Sequence, residues 1–149
     1  MVEEAHAAAG ERGLTRFSSE QSEFSWLVRK AEQELLSTCE RLGVGFIPYF
    51  PLASGLLTGK YRRGEPAPEG TRLSGRQLED AQLVRVERLE AFAAERGVTL
   101  LDVAIGGLAA VPSVVSVIAG ATKPEQVRAN AAAAGWELSQ DELDALRLL

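Results

Sequence analysis

Cysteine is almost missing from these 149 residues, and Cys39 is the only one. That excludes an intramolecular disulfide and any zinc site built from several thiolates. Histidine is equally scarce, with His6 alone. No apolar run approaches the roughly 20 residues that crossing a bilayer requires. A concentrated basic tract is also missing: 16 Lys+Arg stand against 21 Asp+Glu, a formal net charge of −5. Neither a membrane nor nucleic acid is therefore expected as a partner. The start, Met1-Val2-Glu3-Glu4, lacks the basic and apolar regions of a secretory signal, so a cytoplasmic location is expected. What remains is ordinary globular material, 46% hydrophobic and 25% charged. It suits one domain able to bury a core.

Strand and helix signals alternate along the chain. Residues 3–12 are rich in Ala and Glu and stop at Gly13, which predicts a helix. Leu14 to Phe24 mixes β-compatible Thr15 and Phe17 with polar residues, which predicts a short strand and a loop. Residues 28–42 place Val28, Ala31, Leu35, Leu36, Cys39 and Leu42 at helical spacing before Gly43. Val44 to Tyr49, bounded by Pro48 and Pro51, suits a buried parallel strand. Residues 51–75 form a long Gly- and Pro-rich segment, and such loops inside a domain are often functional. Helices are predicted over 77–96, 100–110 (opened by Thr99 and Asp102, weakened by Gly106-Gly107) and 124–134 (opened by Pro124). Ser139 and Glu142 form a capping box for a last one. Val114-Val115-Ser116-Val117-Ile118 is the clearest strand pattern in the chain. The alternation implies an α/β class with parallel pairing. Only about three strands are visible, too few to cover their own edges.

Two segments carry chemistry. In Pro51 to Lys60 the small residues Ala53, Ser54 and Gly55 let backbone amides approach a phosphate, and Lys60 adds a charge. The loop has neither the Walker order nor the Gly-x-Gly-x-x-Gly order. Gly120, Thr122 and Lys123 precede a helix N-terminus, which favours anions but equally suits a plain cap with a solvated lysine. Gln126 and Asn130 are four apart and share one face of that helix.

The run Tyr-Phe-Pro-Leu-Ala-Ser-Gly-Leu-Leu-Thr-Gly-Lys-Tyr at 49–61 resembles the aldo-keto reductase superfamily, in the branch with bacterial reductases and potassium-channel β subunits. Gln21-Ser22-Glu23-Phe24 is similar to that family's Gln-x-Glu-Tyr segment, and 117–130 to its last strand and following helix, in the same order. The resemblance implies the C-terminal portion of a (β/α)8 barrel, a fold of roughly 250 residues or more when whole. The chain then reads as one partial domain over 1–149, with a cofactor loop at about 49–75.

Further roles come from the resemblance alone. It implies NADP (NADPH) as cofactor and hydride transfer to an aldehyde or ketone as the reaction of the complete enzyme. Gln21 would bond the nicotinamide carboxamide, and Tyr49 would stack on the ring. Phe50, Pro51, Leu52, Ala53, Ser54, Gly55 and Lys60 would hold the pyrophosphate, with Arg72 in a flap above it. Gly120, Thr122, Lys123, Gln126 and Asn130 would hold the 2′-phosphate and adenosine end. Phe50 stands where the family usually has Ser, and Ala129 where it often has an acid, which weakens the adenine contact. The family's catalytic Asp, Tyr, Lys and His lie earlier in its barrel, and no residue here matches them. The chain alone is thus expected to lack the catalytic acid. A non-enzymatic nucleotide-binding or regulatory subunit, self-associating or pairing with a separate N-terminal half, and a shortened gene product remain the alternatives. Cys39 reads as core, His6 and the pair Arg62 and Arg63 as solvated, and Glu87, Glu90 and Glu95 as a wet helix face. Trp26 either lines a substrate mouth or packs, and Trp136 anchors the last turn.

Overall fold

A parallel pair of short strands organises the chain in the computed structural model, which describes residues 1–149. Helix α1 (Val2–Glu11) precedes β1 (Ser19–Glu23); α2 (Leu35–Leu42) leads to β2 (Gly45–Tyr49). Four helices follow: α3 (Asp80–Glu95), α4 (Leu100–Ala109), α5 (Pro124–Ala133) and α6 (Gln140–Arg147). β1 and β2 pair in parallel with Gln21 opposite Ile47 and Glu23 opposite Tyr49. The α/β class and the parallel pairing stand as the alternation predicted.

The 114–118 segment is a correction. It is not a ladder strand, but runs beside β2 through two isolated parallel bridges, Phe46 with Val114 and Tyr49 with Ile118. Pro48 supplies the reason. Gly45 donates toward the β1 side (to Ser18 O, 2.9 Å), whereas Phe46 donates to Ser113 O at 2.7 Å. Pro48 points the same way as Phe46 and has no N–H to give. Its carbonyl still accepts from Ile118 at 3.0 Å. Three steps on β2, from Phe46 to Tyr49, are matched by four on the neighbour, a bulge of one residue.

Two further expectations shift. The stretch 28–42 is not one helix: a 3-10 turn, Lys30–Glu32, precedes α2. Val28 is held outside a helix because it exchanges two backbone bonds with Ser25, of 3.1 and 3.0 Å. Ser25 Oγ also accepts from the Val28 amide at 3.1 Å. The first strand begins at Ser19, leaving Leu14 and Phe17 outside it and exposed.

The helices end as their residues dictate. Gly43 closes α2 in the left-handed region at φ 66°. Thr99 with Asp102, and Ser139 with Glu142, form complete capping boxes on α4 and α6. The Gly106-Gly107 pair also has a packing reason. A Cβ on Gly106 would lie 2.6 Å from Ala133 O, and one on Gly107 2.9 Å from both Leu146 Cδ2 and Trp26 Nε1. Glycine lets α5, α6 and the Trp26 ring approach α4 closely. The core joins Phe24, Trp26, Phe46, Leu57, Phe92, Val103, Leu108 and Leu146. No helix is long and apolar enough to cross a membrane.

Candidate functional site

Side chains alternate along a strand, so residues two apart share a face. Phe46 and Pro48 are buried beneath the helices. Gln21 and Glu23 on β1, with Ile47 and Tyr49 on β2, therefore share the opposite face. Gln21 is exposed there and Tyr49 is half-buried. The Glu23–Tyr49 pairing and the Tyr49–Ile118 bridge bring the C-terminal ends of all three extended segments to one level. Gly120 leaves two residues later. The three segments singled out in the sequence thus meet at one end of the sheet.

The loop after β2 turns sharply. Phe50, Ala53 and Ser54 have φ of 57°, 44° and 59°, and Gly55 has 95°. Left-handed backbone is uncommon outside glycine, and three non-glycine residues in it mark a constrained loop. Pro51 is buried, and Leu52 to Gly55 are half-buried. Lys60 folds back over this turn: a Cβ on Gly55 would meet Lys60 Cε and Nζ at 3.2 Å. Its ammonium lies 5.4 Å from the centre of the Tyr61 ring. The flap that follows is pinned at its start by Arg62 to Glu90 (2.8 Å) and Arg63 to Glu87 (3.2 Å). Arg62, Arg63 and Glu87 are exposed and Glu90 half-buried, and the four pair with one another across the surface. Arg72 places its guanidinium carbon 5.3 Å from the centre of the Phe50 ring.

Between loop and flap lies a cavity of about 340 Å³. Phe50, Ala53 and Ser54 line one side, and Leu73, Arg76 and Gln82 another. Arg76 and Gln82 escaped the sequence reading. Arg76 lies one residue beyond the loop as bounded there, and it follows Arg72 in the same Gly-rich run.

At the other edge, the Thr122 amide and hydroxyl both donate to Gln126 Oε1, at 2.8 and 3.2 Å. Gln126 thereby ties the first turn of α5 to Thr122, the residue before the N-cap Lys123, which is exposed and precedes Pro124. Asn130 is half-buried and borders a second cavity of about 380 Å³, lined also by Ile105, Val114 and Val117.

Several residues fall outside the site. Trp26 packs: it is 2% exposed and its Nε1 donates to Val103 O at 2.9 Å. Arg85 donates to Leu27 O and Trp26 O, both at 2.8 Å, locking that turn to α3. Trp136 meets Phe92 edge-on at 6.5 Å. His6 is half-buried, not solvated, with Nδ1 enclosed and without a hydrogen-bond partner. Cys39 is fully buried, and burial first, then the charge of Glu20, pushes its thiol above the ordinary range. A neutral, enclosed thiol is a poor nucleophile. Glu95 pairs with Arg96 at 3.4 Å. No group of three His, Cys, Asp or Glu side chains is placed to hold a metal ion.

Comparison with known proteins identifies the family. The sequence model of the aldo/keto reductase family matches residues 2–149. The chain belongs to the aldo/keto reductase family. A probable voltage-gated potassium channel subunit beta of Arabidopsis thaliana is 39% identical over 138 residues, covering 87% of this chain and 42% of the relative. The NADH-specific methylglyoxal reductase of Escherichia coli (strain K12) is 32% identical over 131 residues, 85% of this chain and 40% of the relative. The L-glyceraldehyde 3-phosphate reductase of the same strain is 38% identical over 104 residues, 64% and 30% respectively. This aldo/keto reductase chain thus spans less than half the length of these relatives. Its two-stranded parallel sheet is consistent with part of the family's barrel.

Proposed function

We propose that this chain is the C-terminal, cofactor-binding portion of an NADP-dependent aldo/keto reductase. The observation that carries the reading is the shared end of the three extended segments, where Gln21, Tyr49 and the left-handed loop 50–55 lie together. When bound, the reduced nicotinamide supplies a hydride to an aldehyde or ketone carbon. The residues present fit that group. Gln21 offers an exposed amide, both donor and acceptor, for a carboxamide. Tyr49 offers a flat face two residues along the same side of the sheet. In the turn at Ala53–Gly55 the Ala53 and Gly55 amides donate to Phe50 O (3.0 Å) and Leu52 O (2.7 Å), which leaves the Ser54 amide to meet a pyrophosphate. Lys60 and Arg72 add positive charge at that turn, and Lys123 does so at the head of α5, beside the neutral Thr122 hydroxyl. Gln126 orders Thr122 for this task, and Asn130 lies one turn further along.

The acid is the missing component. No Asp, Tyr, Lys and His of this chain match the family's catalytic set, and a positioned proton donor contributes about 10² to 10⁴ in rate. The complete enzyme would take a small carbonyl substrate and add the polypeptide that carries those residues. Titration with NADPH is expected to show binding, while steady-state turnover of a reactive aldehyde stays near background. Adding the missing half in trans restores turnover. Ordinary turnover by this chain alone refutes the missing acid, and no NADPH affinity even with the added half refutes the cofactor role.

A second reading, a non-enzymatic regulatory subunit, is favoured by the relatives named as channel β subunits. Light scattering separates it: a monomer with no affinity for NADPH discards it.

A further inference from the structure

The placement of Phe50 calls for a reason of its own. Its φ of 57° is a conformation that aromatic residues seldom adopt. Its ring is 44% exposed, so core burial does not hold it there. Two contacts do. The ring meets Tyr49 nearly edge-on, centre to centre 5.6 Å at 66°. Its face receives the Arg72 guanidinium at 5.3 Å. A cation over an aromatic face is attracted by the ring quadrupole.

Arg72 sits in the middle of the flap. Salt bridges from Arg62 and Arg63 fasten the flap's start, and α3 receives its end. Between these anchors the chain is a run of tight turns, with Thr71 N bonded to Pro68 O at 3.3 Å, Ser74 N to Thr71 O at 3.1 Å and Arg76 N to Leu73 O at 3.0 Å. Leu73 is buried against the cavity that the flap shares with loop 50–55. The Phe50–Arg72 contact is the polar counterpart of that apolar anchor.

We infer that Phe50 is a positioning residue. Its ring docks Arg72, and with it the flap, onto the loop after β2, so that the guanidinium is held over that loop for the phosphate of a dinucleotide. The inference rests on the cofactor-binding reading for the identity of the ligand and on the two ring contacts for the docking.

The test uses the full chain and two readouts. Hydrogen exchange of residues 70–78 reports the docking without any ligand. Phe50→Leu keeps an apolar side chain and removes the π face; Phe50→Tyr keeps the face. Exposed contacts of this kind correspond to about two- to fivefold in an equilibrium, so Phe50→Leu is expected to speed exchange there by about that factor. Phe50→Tyr leaves it unchanged, and Phe50→Leu adds nothing in an Arg72→Ala background. NADPH affinity then falls by a similar factor in Phe50→Leu and is restored in Phe50→Tyr. Unchanged exchange in Phe50→Leu overturns the docking. Faster exchange with unaltered NADPH affinity overturns the positioning role while the cofactor reading stands. A wild-type chain that binds no NADPH even with the missing half added overturns the cofactor reading and the positioning role together, and the exchange result alone then decides whether the ring docks the flap.

Discussion

The two faces of the β1–β2 sheet differ in what covers them. On one face Phe46 is fully buried among α-helical side chains, with Cys39, Val103 and Leu108 equally enclosed. On the other, Gln21 and Glu23 are exposed and Tyr49 is only half-buried. Beyond β2, Val115 and Ile118 are 65% and 46% exposed. Parallel sheets are normally covered on both sides. The covered face therefore carries the stability of this chain, while the uncovered face gathers the residues proposed to meet cofactor. Stability and binding are separated by the thickness of one strand pair.

The sharpest way to break this contrast is to substitute on each face. Phe46→Ala removes a fully enclosed ring and is expected to cost about 3–5 kcal/mol. Val115→Ser, at an exposed position, is expected to stay within about 0.5 kcal/mol. Urea denaturation reads both, and equal losses would mean the two faces are energetically alike. Next in size is Gly107→Ala. Its methyl would press on Leu146 and the Trp26 indole, both 2.9 Å away, so overpacking of about 1–3 kcal/mol is expected in the same assay.

A smaller loss concerns the cap of α6. Ser139→Ala removes an N-cap hydroxyl and is expected to cost about 1 kcal/mol by thermal unfolding. The same cap makes a pH-dependent contribution. The backbone amide of Ser139 first, then its hydroxyl, hold the Glu142 carboxyl below its ordinary value of 4.5. A lowered folded-state value means that the ionised form is favoured on folding, so this stabilisation is present above pH 4.5 and is lost as pH falls through the lowered value. The difference between wild type and Glu142→Gln is expected to shrink on acidification below pH 4.5. A constant difference from neutral to acid pH would remove the carboxylate from the account.

Much of this organisation was legible because local chemistry agreed with the fold. Both capping boxes, Pro124 at the head of α5 and the Gly43 stop express local rules, and each end lies where its residues place it. The family followed from loop 49–61, whose residues are spelled out in sequence. Nonlocal effects were harder to see. The 114–118 run has strong β propensity, but its pairing depends on a missing donor at Pro48, on another element. Val28 fits a helical stripe, yet its backbone is committed to Ser25. Phe50 and Arg72 are 22 positions apart in the chain, and no periodicity announces that one ring receives the other's charge. The ion pairs of Arg62 and Arg63 were not legible because their carboxylate partners lie on α3.

Pro48 also sets the phase of everything after it on the neighbouring segment. With uninterrupted pairing from Phe46–Val114, Tyr49 would stand beside Val117; with the extra residue it stands beside Ile118. A shift of one inverts which side chains point inward along an extended run. The single imino acid thus acts at a distance as a frame-setter: it decides which members of the Ala119–Lys123 turn arrive opposite the loop that begins at Phe50.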